Sequence, residues 1–572
     1  MRWLLYVGVF VACLQFAYIA QLLTQHQAQE VVDDAVATSE AFARRPKRAI
    51  EYEYRPPPPP EPPKPALRRP EPAAAAPGRA AAPFRMERAA PKPAAPPRGA
   101  AAPRPSSREA FVTALVRRVH GAFASIRPAG FGLRNDPHRA SDKVVWETFY
   151  GAVDAALAPG SEFHELRRAA DVPVRGDGSI FVSISSFRDE VCPDTLDNLF
   201  ATAARPDLAF VGLVQQNCDA GQHAAYGCKT AVMSEDMKVH EMGPDVDCLE
   251  NYCARPTAYG PACGGGQVRV VKFNESETFG PVFGRYLGSL LWQGETYYMQ
   301  VDAHTTFARG WDDMIKEDYG LAPAAKPIFS HYPPSGPQKP ELPRSGKHAW
   351  EGAVGPCMCD ASFAEYNIVR LGAMQRYPIK ETSPEGCTVG PRQPDCRKVP
   401  RFAPYIGAGF VFASAKFVQE VPFDPYLPFV FMGEELDFSA RAWTSGWDIF
   451  CPPRSVVAHA YLRPQKPEFW GALQRSIGAG THNSLQQFVL PRVKHMVGYP
   501  EDADAASLKA ATLVGHLDVY GLGTARPIAD YAKYADFDFA EKRKSHVAWC
   551  IKGDRPPGFE HQAGSYADLS RA

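Results

Sequence analysis

Net charge is the first thing this chain lacks: 63 Lys and Arg are balanced by 63 Asp and Glu over 572 residues. A protein that grips nucleic-acid phosphates needs a basic excess, so the balance argues against that partner. Long apolar runs are nearly absent as well. Only Trp3–Leu23 continues uncharged for the length of a bilayer crossing, about 20 residues at roughly 1.5 Å each, which leaves no room for a multi-span transporter. No internal repeat is found. The 13 cysteines include no paired Cys-x-x-Cys, which weakens a zinc reading of Cys357-Met358-Cys359.

What is present divides the chain into segments. Arg2 precedes the apolar run and no Lys or Arg follows until Arg44, a bias that keeps the N-terminus cytoplasmic. A signal-peptidase site after Ala20 would put bulky Tyr18 at the −3 position, so residues 3–23 are expected to be an uncleaved transmembrane signal anchor behind a cytoplasmic tail of residues 1–2. The rest is then luminal, in the Golgi or endoplasmic reticulum, as in a single-pass type II protein. Residues 24–105 are rich in Pro and Ala, with Pro56–Pro60 at their most extreme. Such a stretch buries too little apolar surface to fold and reads as a disordered, semi-rigid stalk.

Folded sequence is expected from Ser106, where Ser106-Ser107-Arg108-Glu109 forms a capping-box pattern. Phe111, Ala114, Leu115, Val119 and Phe123 follow at helical spacing in a helical neck, residues 106–177. Twelve cysteines lie beyond the apolar run, an even number that suits disulfides in an oxidising lumen. Cys248 to Cys263 and Cys357 to Cys396 are expected to be two stapled loop regions. From 178 to about 475, strand and helix patterns alternate. Ser179–Ser185 and Ala209–Val214 read as buried strands with a helix, Thr195–Ala204, between them, which implies a mostly parallel, helix-covered α/β sheet. Residues 476–572 read as an extension that packs on this core.

The chemistry concentrates after a helix opened by Gly280-Pro281, expected to end near Gln293-Gly294. Thr296–Val301 follows as a strand and delivers Asp302-Ala303-His304. Ligands of open α/β sheets bind outside the carboxyl ends of strands, and two residues separated by one in an extended chain point the same way, so Asp302 and His304 can chelate a divalent cation. An Asp that merely starts a turn is the plainer alternative. Gly407-Ala408-Gly409 precedes the strand Phe410–Ala413 and allows close backbone approach to a ligand at Gly409. Glu434 and Glu435 open a helix that runs to Gly446, where they suit the helix dipole. His459 follows another strand-like stretch and is a candidate third ligand, the alternative being an ordinary packed histidine.

These elements resemble, in order, the polypeptide N-acetylglucosaminyltransferases of the Skp1 hydroxyproline-modifying type. The matching residues are Ile180–Asp189, Gly280-Pro281 with Arg285, Gly294-Glu295 through Gln300, Asp302 and His304, Trp311-Asp312, Ile406–Phe410, Pro422–Pro425, Gly433-Glu434-Glu435, Ala440–Thr444, His459-x-Tyr461-x-Arg463, and Tyr520 to Arg526. The sequence is more distantly similar to the mucin-type polypeptide GalNAc-transferases, which share the D-x-H pair and a later His. The Trp that starts the Gly-Glu element in those relatives is Phe431 here.

The resemblance implies a GT-A fold, Rossmann-like, with a mostly parallel mixed sheet and helices on both faces. It implies a retaining transfer from UDP-GlcNAc to a polypeptide hydroxyl, with Mn²⁺ held by Asp302, His304 and His459. Asp302 and Glu434 are expected to be catalytic residues, Glu434 through sugar-hydroxyl or acceptor binding. Ser185, Arg188, Asp189 and Gln216 occupy the expected nucleotide edge, and Arg285 is a candidate diphosphate clamp. Glu434 and Glu435 project about 100° apart on a helix and so cannot form a hydrolytic carboxylate pair. Two alternatives stay open: another nucleotide sugar such as UDP-GalNAc acting on a glycan, or a catalytically silent, membrane-tethered, lectin-like protein.

Overall fold

Runs of β-branched and aromatic residues separated by Gly- and Pro-rich turns set the strands of a computed structural model of the chain. The chain divides into Met1–Pro97 and Arg98–Ala572, and everything described belongs to the second part. The described residues are 107–123, 142–164, 172–221, 228–231, 239–241, 243–342, 355–363, 368–374, 400–461, 489–499, 515–542 and 545–552, with isolated positions between them. The expected anchor at 3–23 and stalk at 24–105 lie outside these residues. No helix among the described residues is long and apolar enough to cross a membrane.

In chain order the strands are β1 Ile180–Phe187, β2 Ala209–Asn217, β3 Lys229–Ala231, β4 Val239–Glu241, β5 Val268–Asn274, β6 Tyr297–Asp302, β7 Thr305–Phe307 and β8 Pro327–Ser330. They continue with β9 Cys357–Phe363, β10 Val369–Met374, β11 Arg401–Phe402, β12 Phe410–Ser414, β13 Asp448–Cys451, β14 Val457–His459 and β15 Ser545–His546. Eight of them form one sheet in the order β11-β13-β8-β12-β6-β1-β2-β5. The neighbours β5, β2, β1 and β6 are parallel, and β13 is parallel to β8. β12 runs antiparallel between β6 and β8, and β11 runs antiparallel at the edge. The expected α/β class, with a mostly parallel mixed sheet, is what the chain adopts. The central strands are buried along nearly their whole length, as helix-covered parallel strands must be.

The helix Pro281–Ser289 lies against β1 and β2. Its Gly284 and Gly288, one turn apart, face Ser185 and Ser183, and a Cβ at either glycine would collide with the serine hydroxyl. This close approach is what seats the helix beside the carboxyl end of β1. The helix stops at Ser289 rather than near Gln293 because its end tightens: Leu291 and Trp292 donate to Gly288 and Ser289 carbonyls, three residues back. The helix Arg108–Phe123 starts one residue later than the Ser106–Glu109 capping box implies, with Ser107 Oγ accepting from Ala110 N–H at 3.2 Å. Val112, Leu115, Val116 and Val119 give it a fully buried face in the same core as β1 and β2.

Disulfides close the structure, three of them across wider spans than the two expected staples. Cys192 pairs with Cys248, Cys218 with Cys228, Cys253 with Cys263, Cys357 with Cys451 and Cys359 with Cys550. Among the described residues only Cys253–Cys263 lies within an expected stapled region, and Cys396 lies outside those residues. Cys357 and Cys359 both bond outward, to β13 and to the helix Ala548–Lys552, so they do not form a zinc site. Same-face residues of β9 are two apart and can bond to different neighbours, a choice that spacing along the chain does not reveal.

Candidate functional site

β1, β2 and β6 finish at one edge of the sheet, with Ser185 in register with Val214 on one side and Asp302 on the other. Asp302 closes β6, after which Ala303-His304 turns instead of extending the strand, and β7 follows. β7 then pairs antiparallel with β14, which sets Thr305 opposite His459. That pairing carries His459 across 155 residues to His304. The two Nε2 atoms are 2.8 Å apart, and His459 Nε2 lies 3.1 Å from Asp302 Oδ2. Ligand atoms of all three side chains fall within 4.8 Å of one another.

Two imidazole lone pairs facing each other at that distance repel unless a proton or a cation stands between them. One carboxylate oxygen and two imidazole nitrogens, without thiolate, make a donor set that fits a divalent transition metal such as Mn²⁺ better than Mg²⁺, which prefers all-oxygen sites. Burial opposes ionisation of Asp302. The His459 hydrogen bond, the neighbouring imidazoles and the Arg285 charge outweigh it and hold the carboxyl well below the usual carboxylate range.

Arg285 comes from the helix Pro281–Ser289 and Glu434 from the first turn of the helix Glu434–Thr444, whose N-terminus requires Gly433 at φ +99°. Arg285 Nη1 reaches both Glu434 carboxylate oxygens, and Nη2 lies 3.5 Å from Asp302 Oδ1. Burial disfavours the guanidinium charge, but Glu434 and Asp302 more than compensate and keep Arg285 protonated, above its ordinary value. The cation is therefore shared between Glu434 and Asp302 at the edge of the chelating group.

The remaining candidates divide between an internal brace and the chelating group. Gln216 Nε2 donates to Ser185 Oγ and to the Ser186 carbonyl, both at 3.3 Å, while Thr278 donates to Gln216 Oε1. Ser185 and Gln216 thus tie the ends of β1 and β2 together. Arg188 sits at φ +49°, and its buried guanidinium donates to Asp245 Oδ2 at 2.8 Å and Oδ1 at 3.1 Å, and to the Cys228 carbonyl at 3.2 Å. In this position it anchors the disulfide loop Cys218–Cys228. Asp189 Oδ2 is 2.8 Å from His304 Nδ1. Gly409 opens a space beside Asp302: a Cβ there would stand 3.6 Å from its Oδ2.

Sequence reasoning missed two participants, Asp245 and Tyr332. Asp245 is the carboxylate that takes Arg188, and nothing in its neighbourhood along the chain marks it. Tyr332 donates to Glu435 at 3.0 Å, and Ala408 N–H donates to the same carboxylate at 2.9 Å. Glu435 thus holds the glycine-flanked loop before β12, while Glu434 turns to Arg285. The divergence is the one expected of adjacent helical residues. Burial, together with the charge of Glu434, pushes the Glu435 carboxyl up to about 7 against the opposing Ala408 bond.

A family model described as glycosyltransferase (GlcNAc) matches residues 179–541, the stretch that contains the sheet and the Asp302, His304 and His459 group. The protein is therefore a glycosyltransferase. Since the match spans more than half of the chain, it belongs to the GlcNAc glycosyltransferase family. Among solved structures, "Crystal structure of GalNAc-T7 with UDP, GalNAc and Mn2+" is similar over 72% of this chain and 68% of that one, at 14% identity and a TM-score of 0.36. No curated protein matches the chain.

Proposed function

We propose that the protein is a GT-A-type, metal-dependent, retaining transferase that moves GlcNAc from UDP-GlcNAc to a hydroxyl of a polypeptide. The observation that carries this reading is the meeting of Asp302, His304 and His459 at the carboxyl end of β6 in a chain of the GlcNAc glycosyltransferase family. A nucleotide-sugar donor leaves as a diphosphate, whose negative charge grows as the glycosidic bond breaks, and a divalent cation supplies the neutralisation that this requires. Asp302, already ionised, and the two imidazoles hold that cation.

Arg285 adds fixed positive charge beside the leaving diphosphate, in the low-dielectric setting where such charge counts most. Its pairing with Glu434 aligns that carboxylate, which binds a sugar hydroxyl or the acceptor rather than attacking carbon. Same-face transfer needs no protein nucleophile, because the departing phosphate oxygen accepts the acceptor's proton. Ser185 and Gln216 shape the nucleotide edge, and Gly409 leaves room for the donor beside Asp302. The N-terminal run 3–23 is read as the anchor of a type II Golgi or endoplasmic-reticulum membrane protein, followed by the Pro- and Ala-rich stalk 24–105. Five disulfides among the described residues support an oxidising compartment.

The test is a nucleotide-sugar screen with the purified protein, with and without Mn²⁺, beside Asp302→Ala and His459→Ala. Turnover of UDP-GlcNAc that needs Mn²⁺ and falls at least a hundredfold in both variants is expected. Undiminished turnover in Asp302→Ala, or preference for another donor, overturns the metal or the sugar assignment respectively.

A further inference from the structure

Resting on the metal reading above, we propose that Asp189 is a positioning residue that fixes the tautomer of His304, so that Nε2 faces the cation with its lone pair free. Neutral imidazole carries its proton on one nitrogen only, and the partner of that nitrogen decides which one it is. His304 Nδ1 lies 2.8 Å from Asp189 Oδ2, and a carboxylate can only accept there, so the proton sits on Nδ1. Nε2 is then the acceptor, and it is the atom that points at His459 Nε2 and the Asp302 group. Asp189 is itself held still: its Oδ1 accepts from Val191 N–H at 3.1 Å, and its own carbonyl accepts from Cys192 N–H. Both residues are nearly inaccessible, Asp189 at 4% and His304 at 8% exposure, so water has little opportunity to substitute for the carboxylate. A carboxylate behind a ligating histidine orients the ring and raises its basicity, and its loss typically costs 10–100-fold in metal affinity.

The fixed end of Asp189 makes an unusual ordering of variants. In Asp189→Asn, Val191 N–H requires the amide oxygen, which leaves the NH₂ facing His304 Nδ1. Nδ1 must then accept, the proton moves to Nε2, and the ring can no longer ligate. Asp189→Ser, although smaller and further from isosteric, offers a hydroxyl able to accept and leaves the ring free to keep its proton on Nδ1. The experiment is Mn²⁺ titration of the full-length protein, followed by the EPR signal of free Mn²⁺, for wild type, Asp189→Asn, Asp189→Ser and His304→Ala, with circular dichroism to check folding. Asparagine is expected to weaken Mn²⁺ binding about 10–100-fold, to the level of His304→Ala, and serine to weaken it less. Asparagine binding as tightly as wild type, or more tightly than serine, overturns the proposal and leaves the metal site standing. Wild type that binds no Mn²⁺ overturns both. Should the asparagine variant misfold, serine decides alone: binding lost to the level of His304→Ala refutes the proposal, and retained binding supports it.

Discussion

Replacing Glu434 with Gln should separate a charge that merely fills space from one that governs the site. Arg285 and Glu434 side chains are 10% and 8% exposed, and one guanidinium nitrogen spans both carboxylate oxygens. Removing one member of a buried pair costs about 3–5 kcal/mol, since the other charge stays buried without compensation. Here Asp302 Oδ1, 3.5 Å from Arg285 Nη2, takes over part of the charge. Two charges about 4 Å apart interact by about 4 kcal/mol at an effective dielectric near 20, and Glu434→Gln keeps one oxygen as acceptor. A loss of about 2–4 kcal/mol is therefore expected.

On the proposed metal reading the compensation has a functional cost, because Arg285 now draws on the carboxylate that would ligate the cation. Mn²⁺ affinity should fall about tenfold, equivalent to about 1.4 kcal/mol. Equilibrium urea denaturation of the oxidised protein in EDTA, with a double-mutant cycle through Arg285→Met and Glu434→Leu, measures the first quantity. The double apolar variant should recover most of the lost stability while binding donor poorly. A coupling energy under about 0.5 kcal/mol would place the pair with ordinary surface salt bridges and refute the reasoning.

Glu435 makes stability depend on pH. Its carboxyl titrates near 7 in the fold against an ordinary 4.5, so the folded state binds more protons between those values and stability falls as pH rises through them. At about 1.36 kcal/mol per pH unit, Glu435→Gln should be about 3 kcal/mol more stable than wild type, relative to their difference at pH 4, once the pH exceeds about 8; parallel pH–stability curves would contradict this. The disulfide Cys192–Cys248 closes 56 residues, worth about 4 kcal/mol on a chain-entropy estimate. Cys192→Ser with Cys248→Ser should lower the denaturant midpoint accordingly, and an unchanged midpoint would show that the bond adds nothing. Gly284→Val forces a side chain into Ser185 and should cost about 1–3 kcal/mol by overpacking. It should also shift Arg285, seen as a weaker response to Glu434→Gln; additive effects of the two substitutions would argue against the link.

Much of the scaffold is legible in local pattern. The apolar β-branched runs of β1, β2, β6 and β12 declare buried strands, Gly280-Pro281 and Gly433 open their helices, and Asp302-x-His304 stands where a strand must end. These features depend on neighbours within a few residues, and the chain itself displays that spacing. The rest depends on contacts between distant segments. His459 reads as a candidate third ligand or an ordinary packed histidine, and only the pairing of β14 with β7 brings it to His304. Arg285 reads as a candidate diphosphate clamp, and only the packing of the helix carrying Glu434 supplies the carboxylate it pairs with. Asp189 reads as a residue of the nucleotide edge until the turn after β1 lays it against His304 Nδ1. Strand pairing and helix packing decided these, because a hydrogen bond is set by distance in space and 155 residues of chain place no limit on where two side chains meet.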